Sequence, residues 1–291
     1  MRAKLKQVLS VSRRTDIPAF YMPWFMEQVA RGEITVVNPF NRRTRKVMIS
    51  PDRFHTMVFW SKDFGPFLEG AYGEALQAMG YHLFFNFTIN SPNSLLEPSV
   101  PALNQRLDQL MQLCRRFGSA TVQWRFDPIC RFRTRDHVTR DNLTDFQAIA
   151  AAAGECGVGL CISSFMDHYR KIPRRTGGRL TFLEVSMPER IDILTMMEGI
   201  LAPLHIQLAL CCEKKTLRAL PDNTTVISAD CISSPRIMAA HGGSISRRRD
   251  AGQRKAAGCG CTISVDVGSY SLHPCYHNCL FCYANPACDR I

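Results

Sequence analysis

Three cysteines near the C-terminus have a spacing that suits metal chemistry. Cys275, Cys279 and Cys282 form the pattern C-x3-C-x2-C, with aromatic residues on both sides of the third cysteine. Three thiolates at this spacing can each hold one iron of a [4Fe-4S] cluster and leave the fourth iron without a protein ligand. An iron with an open position can bind a substrate or a cosubstrate. The spacing therefore predicts a cluster that takes part in a reaction.

Other donors near this motif leave a zinc site open as an alternative. A structural zinc ion needs four nitrogen or sulfur ligands, and the motif together with its neighbours offers more than four. The additional candidate ligands are Cys259, Cys261, His273 and His277. Cys259 and Cys261 could also supply a fourth ligand to the cluster, or join Cys231 or Cys288 around a second metal. The adjacent Cys211 and Cys212 follow a predicted strand, and their role stays open.

A second set of candidate residues consists of charged and amide side chains that directly follow predicted strands. They are Arg13, Arg14, Asp16, Lys62, Asn86, Arg125, Asp127, Asp167, Lys171, Glu213 and Asp230. Guanidinium groups suit a phosphate or carboxylate clamp, which we assign to Arg13, Arg14 and Arg125. The aspartates at 16, 127 and 167 would orient cationic groups or accept hydroxyls. Lys62 or Lys171 would place a charge or a proton.

The elements that position these residues alternate between strand and helix about seven or eight times. Strands are predicted near residues 7–12, 34–37, 56–60, 81–88, 119–124, 158–163, 206–210, 225–230 and 262–267. This alternation is typical of parallel α/β folds, and with 291 residues it favours a (β/α) barrel, complete or partial, over a doubly wound sheet. We expect residues 1–240 to form the barrel body. Residues 241–291 would add a loop, the last strand and the cysteine-rich segment to the same domain.

The amino-acid composition indicates which kinds of partner the protein can be expected to bind. The formal net charge is +11, with arginines in small groups, which suits an anionic small-molecule substrate, a nucleotide or a nucleic acid, and equally a solvated basic surface. No apolar run is long enough for a membrane span, and the first residues lack a secretion signal. These features predict a cytoplasmic protein without membrane contact. The thirteen cysteines are then expected to be thiols rather than disulfides.

Over residues 262–285 the chain resembles radical S-adenosylmethionine enzymes, whose cluster loop follows a barrel strand and often reads C-x3-C-x-aromatic-C. The resemblance implies a [4Fe-4S] cluster on Cys275, Cys279 and Cys282, S-adenosylmethionine at the open iron, and an electron-donor protein. Cofactor contacts are assigned to Tyr283, Asn285 and Asn86. In those enzymes the motif lies near the start of the barrel, so the barrel here would be circularly permuted, with strand 262–267 beside strand 7–12.

Over its full length the chain resembles the bacterial family catalogued as domain of unknown function 1848. The matching segments are Ser12-Arg-Arg-Thr-Asp-Ile-Pro-Ala-Phe20, Val58-Phe-Trp-Ser-Lys62, Trp124-Arg-Phe-Asp-Pro128, Ile162-Ser-Ser-Phe-Met-Asp-His-Tyr169, Gly258-Cys-Gly-Cys261 and the stretch from Cys275 to Asn285. This resemblance implies no particular reaction.

Together these patterns predict an iron–sulfur enzyme that uses S-adenosylmethionine for radical chemistry on an anionic small molecule, a nucleotide or a nucleic acid. Nucleic acid is included because the motif resembles that of DNA-photolesion repair lyases. The alternative is a zinc- or cluster-stabilised barrel that binds a ligand or nucleic acid without redox catalysis. A metal-dependent hydrolase is a third hypothesis, but no carboxylate–histidine ligand set is visible at suitable spacing.

Overall fold

The computed structural model describes residues 5–39, 41–166, 172–282 and 284. The strands are β1 (Gln7–Val11), β2 (Glu33–Val37), β3 (Thr44–Met48), β4 (Phe54–Ser61), β5 (His82–Thr88), β6 (Val122–Ile129), β7 (Arg131–Thr134), β8 (Thr139–Asp141), β9 (Leu160–Phe165), β10 (Leu180–Leu183), β11 (Gln207–Leu210), β12 (Ile227–Ser228) and β13 (Ser264–Asp266). The helices are α1 (Ile17–Phe20), α2 (Met22–Arg31), α3 (Gly65–Glu69), α4 (Tyr72–Ala78), α5 (Leu103–Phe117), α6 (Phe146–Glu155), α7 (Ile172–Thr176), α8 (Met187–Leu201), α9 (Lys214–Ala219) and α10 (Ser234–His241).

Eight strands form one sheet in the order β12-β11-β9-β6-β5-β4-β1-β13. Every neighbouring pair in this sheet is parallel. The first strand therefore lies between β4 and β13, and Ser10 is in register with both Val58 and Asp266. Because the strands are parallel, their carboxyl ends lie at one edge of the sheet, where the candidate residues follow them.

The predicted (β/α) barrel, complete or partial and permuted, is wrong. The sheet is open, with β12 and β13 as its two edge strands, and within the described ranges these two strands do not pair with each other. Two short edge strands explain the difference, since β12 has two residues, both exposed, and β13 has three. The residues next to these two strands contact each other instead, and Thr262 N donates to Ile232 O at 3.0 Å.

The two faces of the sheet have different coverings. Leu9, Met57 and Phe85 alternate toward the helix-covered face, where all three are completely buried. The main core on this face also includes Phe25, Phe67, Leu76, Leu110, Ile149 and Leu194 from six helices. Alternation puts the residues between them on the opposite face, as expected for extended strands.

That opposite face is apolar at one end and polar at the other. Near the amino ends of the strands, Val8, Val58 and Phe84 pack against Ile237 of α10. Toward the carboxyl ends, the same face carries the buried polar residues Ser10, Asn86, Gln123 and Arg125. Buried polar groups need partners or a ligand, so this half of the face is the place to look for a functional site.

Short antiparallel sheets flank the main sheet. β2 and β3 form a hairpin, and β10, β7 and β8 form a three-stranded sheet in that order. Phe132 and Phe182 of the three-stranded sheet pack into a second apolar cluster that includes Leu280 and Phe281. This small sheet was not predicted. Its consequence is that the C-terminal cysteine segment is held against a formed structural element.

Three histidine rings stack near the amino ends of β4 and β5, at the opposite end from the candidate residues. In this histidine stack, the His82 ring lies 4.7 Å from the rings of both His55 and His241. Burial, followed by the charges of the other two histidines, lowers the pKa of His55 to about 4. The stack is therefore built for neutral imidazoles.

Candidate functional site

The segment 275–282, called the cysteine loop below, is held by backbone hydrogen bonds to the loop that follows β5. Leu280 N donates to Leu96 O at 2.9 Å, and Ser99 N donates to His277 O at 3.3 Å. The loop is therefore anchored to the polypeptide between β5 and α5.

Two further anchors hold the ends of the cysteine loop. Before it, the Tyr21 hydroxyl donates to Pro274 O at 2.6 Å. After it, the Arg175 guanidinium donates to the carbonyls of Cys282 and Ala284, the latter at 2.6 Å. Arg175 is only 6% exposed, so its charge is directed into the protein at the third cysteine.

The three thiols of the cysteine loop lie close enough to influence one another. Burial, followed by the charges of Asp16 and Cys282, raises the pKa of Cys275 to about 12. Burial also raises the pKa of Cys279, while the nearby Lys62 acts to lower it. Within the described residues there is no hydrogen-bond contact between these three sulfurs, and no group of three or more His, Cys, Asp or Glu side chains is arranged to hold a metal ion as it stands.

A buried carboxylate–imidazole pair connects the cysteine loop to the first helix. His277 Nε2 lies 2.8 Å from Asp16 Oδ2, and His277 Nδ1 lies 3.2 Å from Ser99 O. Burial acts to lower the pKa of His277, but the hydrogen bond and charge of Asp16 outweigh it and the pKa is raised. Asp16 also accepts from Ser61 Oγ at 2.7 Å and from Lys62 N at 2.9 Å. This predicted site residue is therefore a junction between β4, α1 and the loop.

Lys62 directs its ammonium group toward the cysteine loop. Its Nζ lies 2.5 Å from Glu97 Oε1 and 5.4 Å from the centre of the Phe281 ring. Burial acts to lower the pKa of Lys62, but Glu97 and then Cys279 raise it, and the net direction is upward. Glu97 Oε2 is buried, and no described residue forms a hydrogen bond with it. Lys62 thus remains a cation placed between a buried carboxylate and a thiol.

Asp266 joins β13 to β1 and to the turn that follows it. Its Oδ1 accepts from Ser12 Oγ at 2.6 Å and from Gly268 N at 3.1 Å. Its Oδ2 accepts from Ser10 Oγ at 2.9 Å and from Arg13 N at 2.8 Å. This residue was not predicted to be a site residue, although an aspartate at a strand end is the available signal.

The three predicted anion-binding arginines do not form one clamp. Arg14 Nη1 donates to the carbonyls of Val37 and Gly268 at 3.0 and 2.9 Å, which is a structural role. The structure brings Arg13 and Arg125 together, since their guanidinium carbons lie 5.4 and 5.3 Å from the ring of Trp60. These two cations remain candidates for an anionic ligand.

Arg125 connects the predicted aspartate on β6 to a buried thiol. Its Nη2 donates to Asp127 Oδ2 at 2.5 Å and its Nη1 to Cys231 Sγ at 2.7 Å. Asp127 also contacts the Ser164 hydroxyl, so it is held from two sides. A guanidinium has five donor hydrogens, and these two bonds leave others for a ligand.

Two buried amides lie beside these residues on the polar half of the sheet. Asn86 and Gln123 are in register on β5 and β6, and they are 0% and 2% exposed. Asn86 Nδ2 donates to Cys231 O at 3.2 Å, whereas Asn86 Oδ1 and both polar atoms of Gln123 have no partner within the described structure. Gln123 was missed by the sequence reasoning, although a polar residue within an apolar strand is a usable signal.

The structure places the remaining predicted residues in several different environments. Glu213 accepts from Phe165 N, Arg190 and Thr216 and serves as a structural acceptor near the start of α9. Burial raises the pKa of Asp230 despite two nearby arginines. Cys259 and Cys261 interact with other cysteines, Cys212 and Cys231. Five of the predicted residues lie outside the described ranges, and these are Asp167, Lys171, Tyr283, Asn285 and Cys288.

The chain belongs to the family described as domain of unknown function (DUF1848), whose model matches residues 8–284. The match includes β1, the sheet and the whole cysteine loop. A search of curated proteins found none that matches the chain. Among the helices that the structure describes, none has the length and apolar character needed to cross a membrane.

Proposed function

We propose, starting from a family membership that assigns no reaction, that this protein is an iron–sulfur enzyme. Cys275, Cys279 and Cys282 would hold a [4Fe-4S] cluster, and S-adenosylmethionine would bind at the iron that lacks a protein ligand. When bound, such a cluster supplies the electron for reductive cleavage of the sulfonium of S-adenosylmethionine. An electron-donor protein is therefore required. The substrate would be an anionic small molecule, a nucleotide or a nucleic acid.

The observation that carries this proposal is the setting of the three thiols. The cysteine loop is anchored at both ends, and its sulfurs lie in mutual electrostatic range without a hydrogen-bond contact between them. The side chains would still have to turn toward a common centre. The donor chemistry fits, because three thiolates from one short loop are a usual cluster ligand set.

Positively charged side chains near the cysteine loop would stabilise the thiolate ligands of such a cluster. Three ionised thiols are unfavourable in a buried site unless positive charge is nearby. Lys62 beside Cys279 and Arg175 beside Cys282 supply that charge. His277, held by its hydrogen bond with Asp16, lies within the loop itself. These residues would hold the ligands in their ionised form and fix the position of the loop.

Substrate recognition is assigned to the polar half of the sheet. Arg13 and Arg125 would contact a phosphate or carboxylate, and Trp60 between them offers a flat apolar surface. The unsatisfied amides of Asn86 and Gln123 would accept or donate hydrogen bonds to the ligand. Asp127 would orient Arg125.

The test is anaerobic reconstitution with iron and sulfide, followed by counts of iron, sulfide and zinc. We expect about four irons per chain, loss of this cluster in Cys275→Ala, and its retention in Cys114→Ala, a control on α5. Adding S-adenosylmethionine to the reduced protein should change the cluster spectrum and release 5′-deoxyadenosine. Stoichiometric zinc without iron, and no effect of Cys275→Ala on metal content, would refute the proposal.

The alternative is a zinc- or cluster-stabilised protein that binds a ligand or nucleic acid without redox catalysis. The anchoring role of the cysteine loop favours it. His277 does not suit a zinc ligand, however, because both its ring nitrogens face oxygen acceptors. A cluster that forms but releases no 5′-deoxyadenosine would support this alternative. Binding to nucleic acid that weakens steeply with salt would identify its ligand.

A further inference from the structure

Five cysteines that the proposed function does not use meet at one point in the fold. Cys211 and Cys212 follow β11, Cys231 follows β12, and Cys259 and Cys261 precede β13. Cys231 Sγ lies 3.5 Å from Cys211 Sγ, which lies 3.7 Å from Cys212 Sγ. Cys259 interacts through its thiol with Cys212 and Cys261, and Cys261 with Cys231. The five thiols, called the inner thiol group below, therefore form a closed ring of contacts.

Local backbone features bring these thiols together. Cys212 has a positive φ of 62°, a conformation that side chains other than glycine rarely adopt. In a regular strand, adjacent side chains would point to opposite faces, and this conformation instead allows the two neighbouring sulfurs to meet. Gly260 lies so close to the chain after β12 that a β-carbon there would stand 2.0 Å from Asp230 Oδ1. That close approach places Cys259 and Cys261 beside the other thiols.

The environment differs from that of ordinary buried cysteines, which pack as small apolar residues. These thiols contact one another, and all five are free rather than joined in disulfides. Arg125 Nη1 donates to Cys231 Sγ, and a cationic donor of this kind suits a thiolate acceptor. Arg13, on the other side of Trp60, is also in electrostatic range of Cys231 and Cys261. A thiol group with arginines beside it is equipped for negative charge.

The spacing of the sulfurs fits one tetrahedral ion. With metal–sulfur bonds of about 2.3 Å, two ligands of a tetrahedral zinc lie about 3.8 Å apart. Two separations within the group, 3.5 and 3.7 Å, are close to this value. The thiols now touch directly instead of surrounding a centre, so binding requires rotation about their χ1 angles. Four thiolates and one divalent ion carry a net charge of about −2, which Arg13 and Arg125 would balance.

We propose that the inner thiol group is a second metal centre, separate from the cysteine loop, in which four of the five thiolates bind one soft divalent ion such as Zn²⁺. The centre joins the ends of β11 and β12 to the segment that leads into β13. The two edge strands of the sheet are thereby connected through a metal rather than through a hydrogen-bond ladder. This proposal does not depend on the iron–sulfur function.

The test uses the full chain with Cys275, Cys279 and Cys282 all replaced by alanine, which removes the cysteine loop as a ligand source. Metal-free protein is titrated with Co²⁺ and then Zn²⁺. We expect one metal per chain, the absorption of a tetrahedral thiolate cobalt complex that Zn²⁺ abolishes, and protection of about four thiols from alkylation. Adding Cys231→Ser and Cys259→Ser should weaken binding at least tenfold, whereas adding Cys114→Ser should not.

A second measurement covers the case in which the variants do not fold. In the wild-type chain, zinc should slow alkylation of the five cysteines of the inner thiol group, identified peptide by peptide, relative to Cys114. Equal alkylation rates with and without zinc would overturn the proposal. So would a triple variant that binds no zinc, or one that assembles an iron–sulfur cluster at these residues in preference to a single ion.

Discussion

Replacing Asp266 by asparagine tests whether this one carboxylate joins β13 to β1. Each of its oxygens accepts one serine hydroxyl and one backbone N–H, with Gly268 N on Oδ1 and Arg13 N on Oδ2. An asparagine turns one of these oxygens into an NH2 group. The serine on that side can rotate its hydroxyl and become the acceptor, but the backbone N–H cannot.

The expected loss of stability follows from this difference between the serine hydroxyl and the backbone N–H. Whichever way the amide is oriented, one largely buried backbone donor is left facing another donor, which costs about 1–3 kcal/mol. The remaining bonds lose the charge that strengthens them, and the weak attraction between Asp266 and Arg14 at 3.9 Å is lost as well. We expect Asp266→Asn to lower the free energy of unfolding by about 2–4 kcal/mol.

Urea unfolding at neutral pH, followed by circular dichroism, measures this change, with the denaturant slope checked for constancy. Asp108→Asn, on an exposed position of α5, is the matched control and should change stability by less than about 0.5 kcal/mol. If Asp266→Asn falls within that same narrow range at an unchanged slope, the carboxylate does not join the strands in the way described.

Two more predictions concern charge in the interior. His55 has a pKa lowered to about 4, so the protein should lose stability as the pH falls from 6.5 toward 4, because only the unfolded chain takes up the proton. Urea unfolding at several pH values measures this dependence, and His55→Gln should make the free energy of unfolding depend less on pH. An unchanged pH dependence in His55→Gln would contradict the assignment. Lys62→Met leaves the Glu97 carboxylate buried without its cation and should cost about 3–5 kcal/mol in the same assay. Lys46→Met breaks the exposed pair with Glu33 and should cost less than about 1 kcal/mol, and equal losses for the two lysine variants would refute the distinction.

The sequence indicated a parallel α/β fold because strand and helix patterns are local. The apolar run at residues 81–88 depends on side-chain periodicity alone, and the observed β5 lies within one residue of that prediction. Whether the two terminal strands of the sheet pair is a non-local property. Counting units favoured a barrel, whereas β12 contributes only two residues to the sheet.

The sequence predicted where the candidate site lies, but it did not predict which of its residues contact one another. Strand-end residues such as Asp16 and Lys62 do lie together, because parallel strands present their carboxyl ends at one edge. Their partners could not be derived, since His277 lies 261 residues from Asp16 and Glu97 lies in a loop without a periodic pattern. For the same reason, the sequence could not show which of the three arginines of the predicted clamp would be available to a ligand. Nothing local shows that Arg14 is directed at backbone carbonyls.

The contacts within the inner thiol group could not be derived from the sequence either. Cys211, Cys231 and Cys259 lie in three separate segments, and none of their spacings matches a metal motif. Only the order of the strands in the sheet brings these segments together. The sequence did suggest that Cys259 and Cys261 could join Cys231 around a second metal, but the contribution of Cys211 and Cys212 could not be derived without the neighbouring segments.

The position of β1 between β4 and β13 has a consequence for synthesis on the ribosome. Ser10 and Asp266 are 256 residues apart, so at about 5–20 residues per second one edge of β1 waits roughly 10–50 seconds for its partner strand. During that interval the edge is open to pairing with other chains, which is a known route to aggregation. The cysteine loop begins at residue 275, only a few residues after β13 ends at Asp266, so it becomes available almost as soon as this edge can be covered.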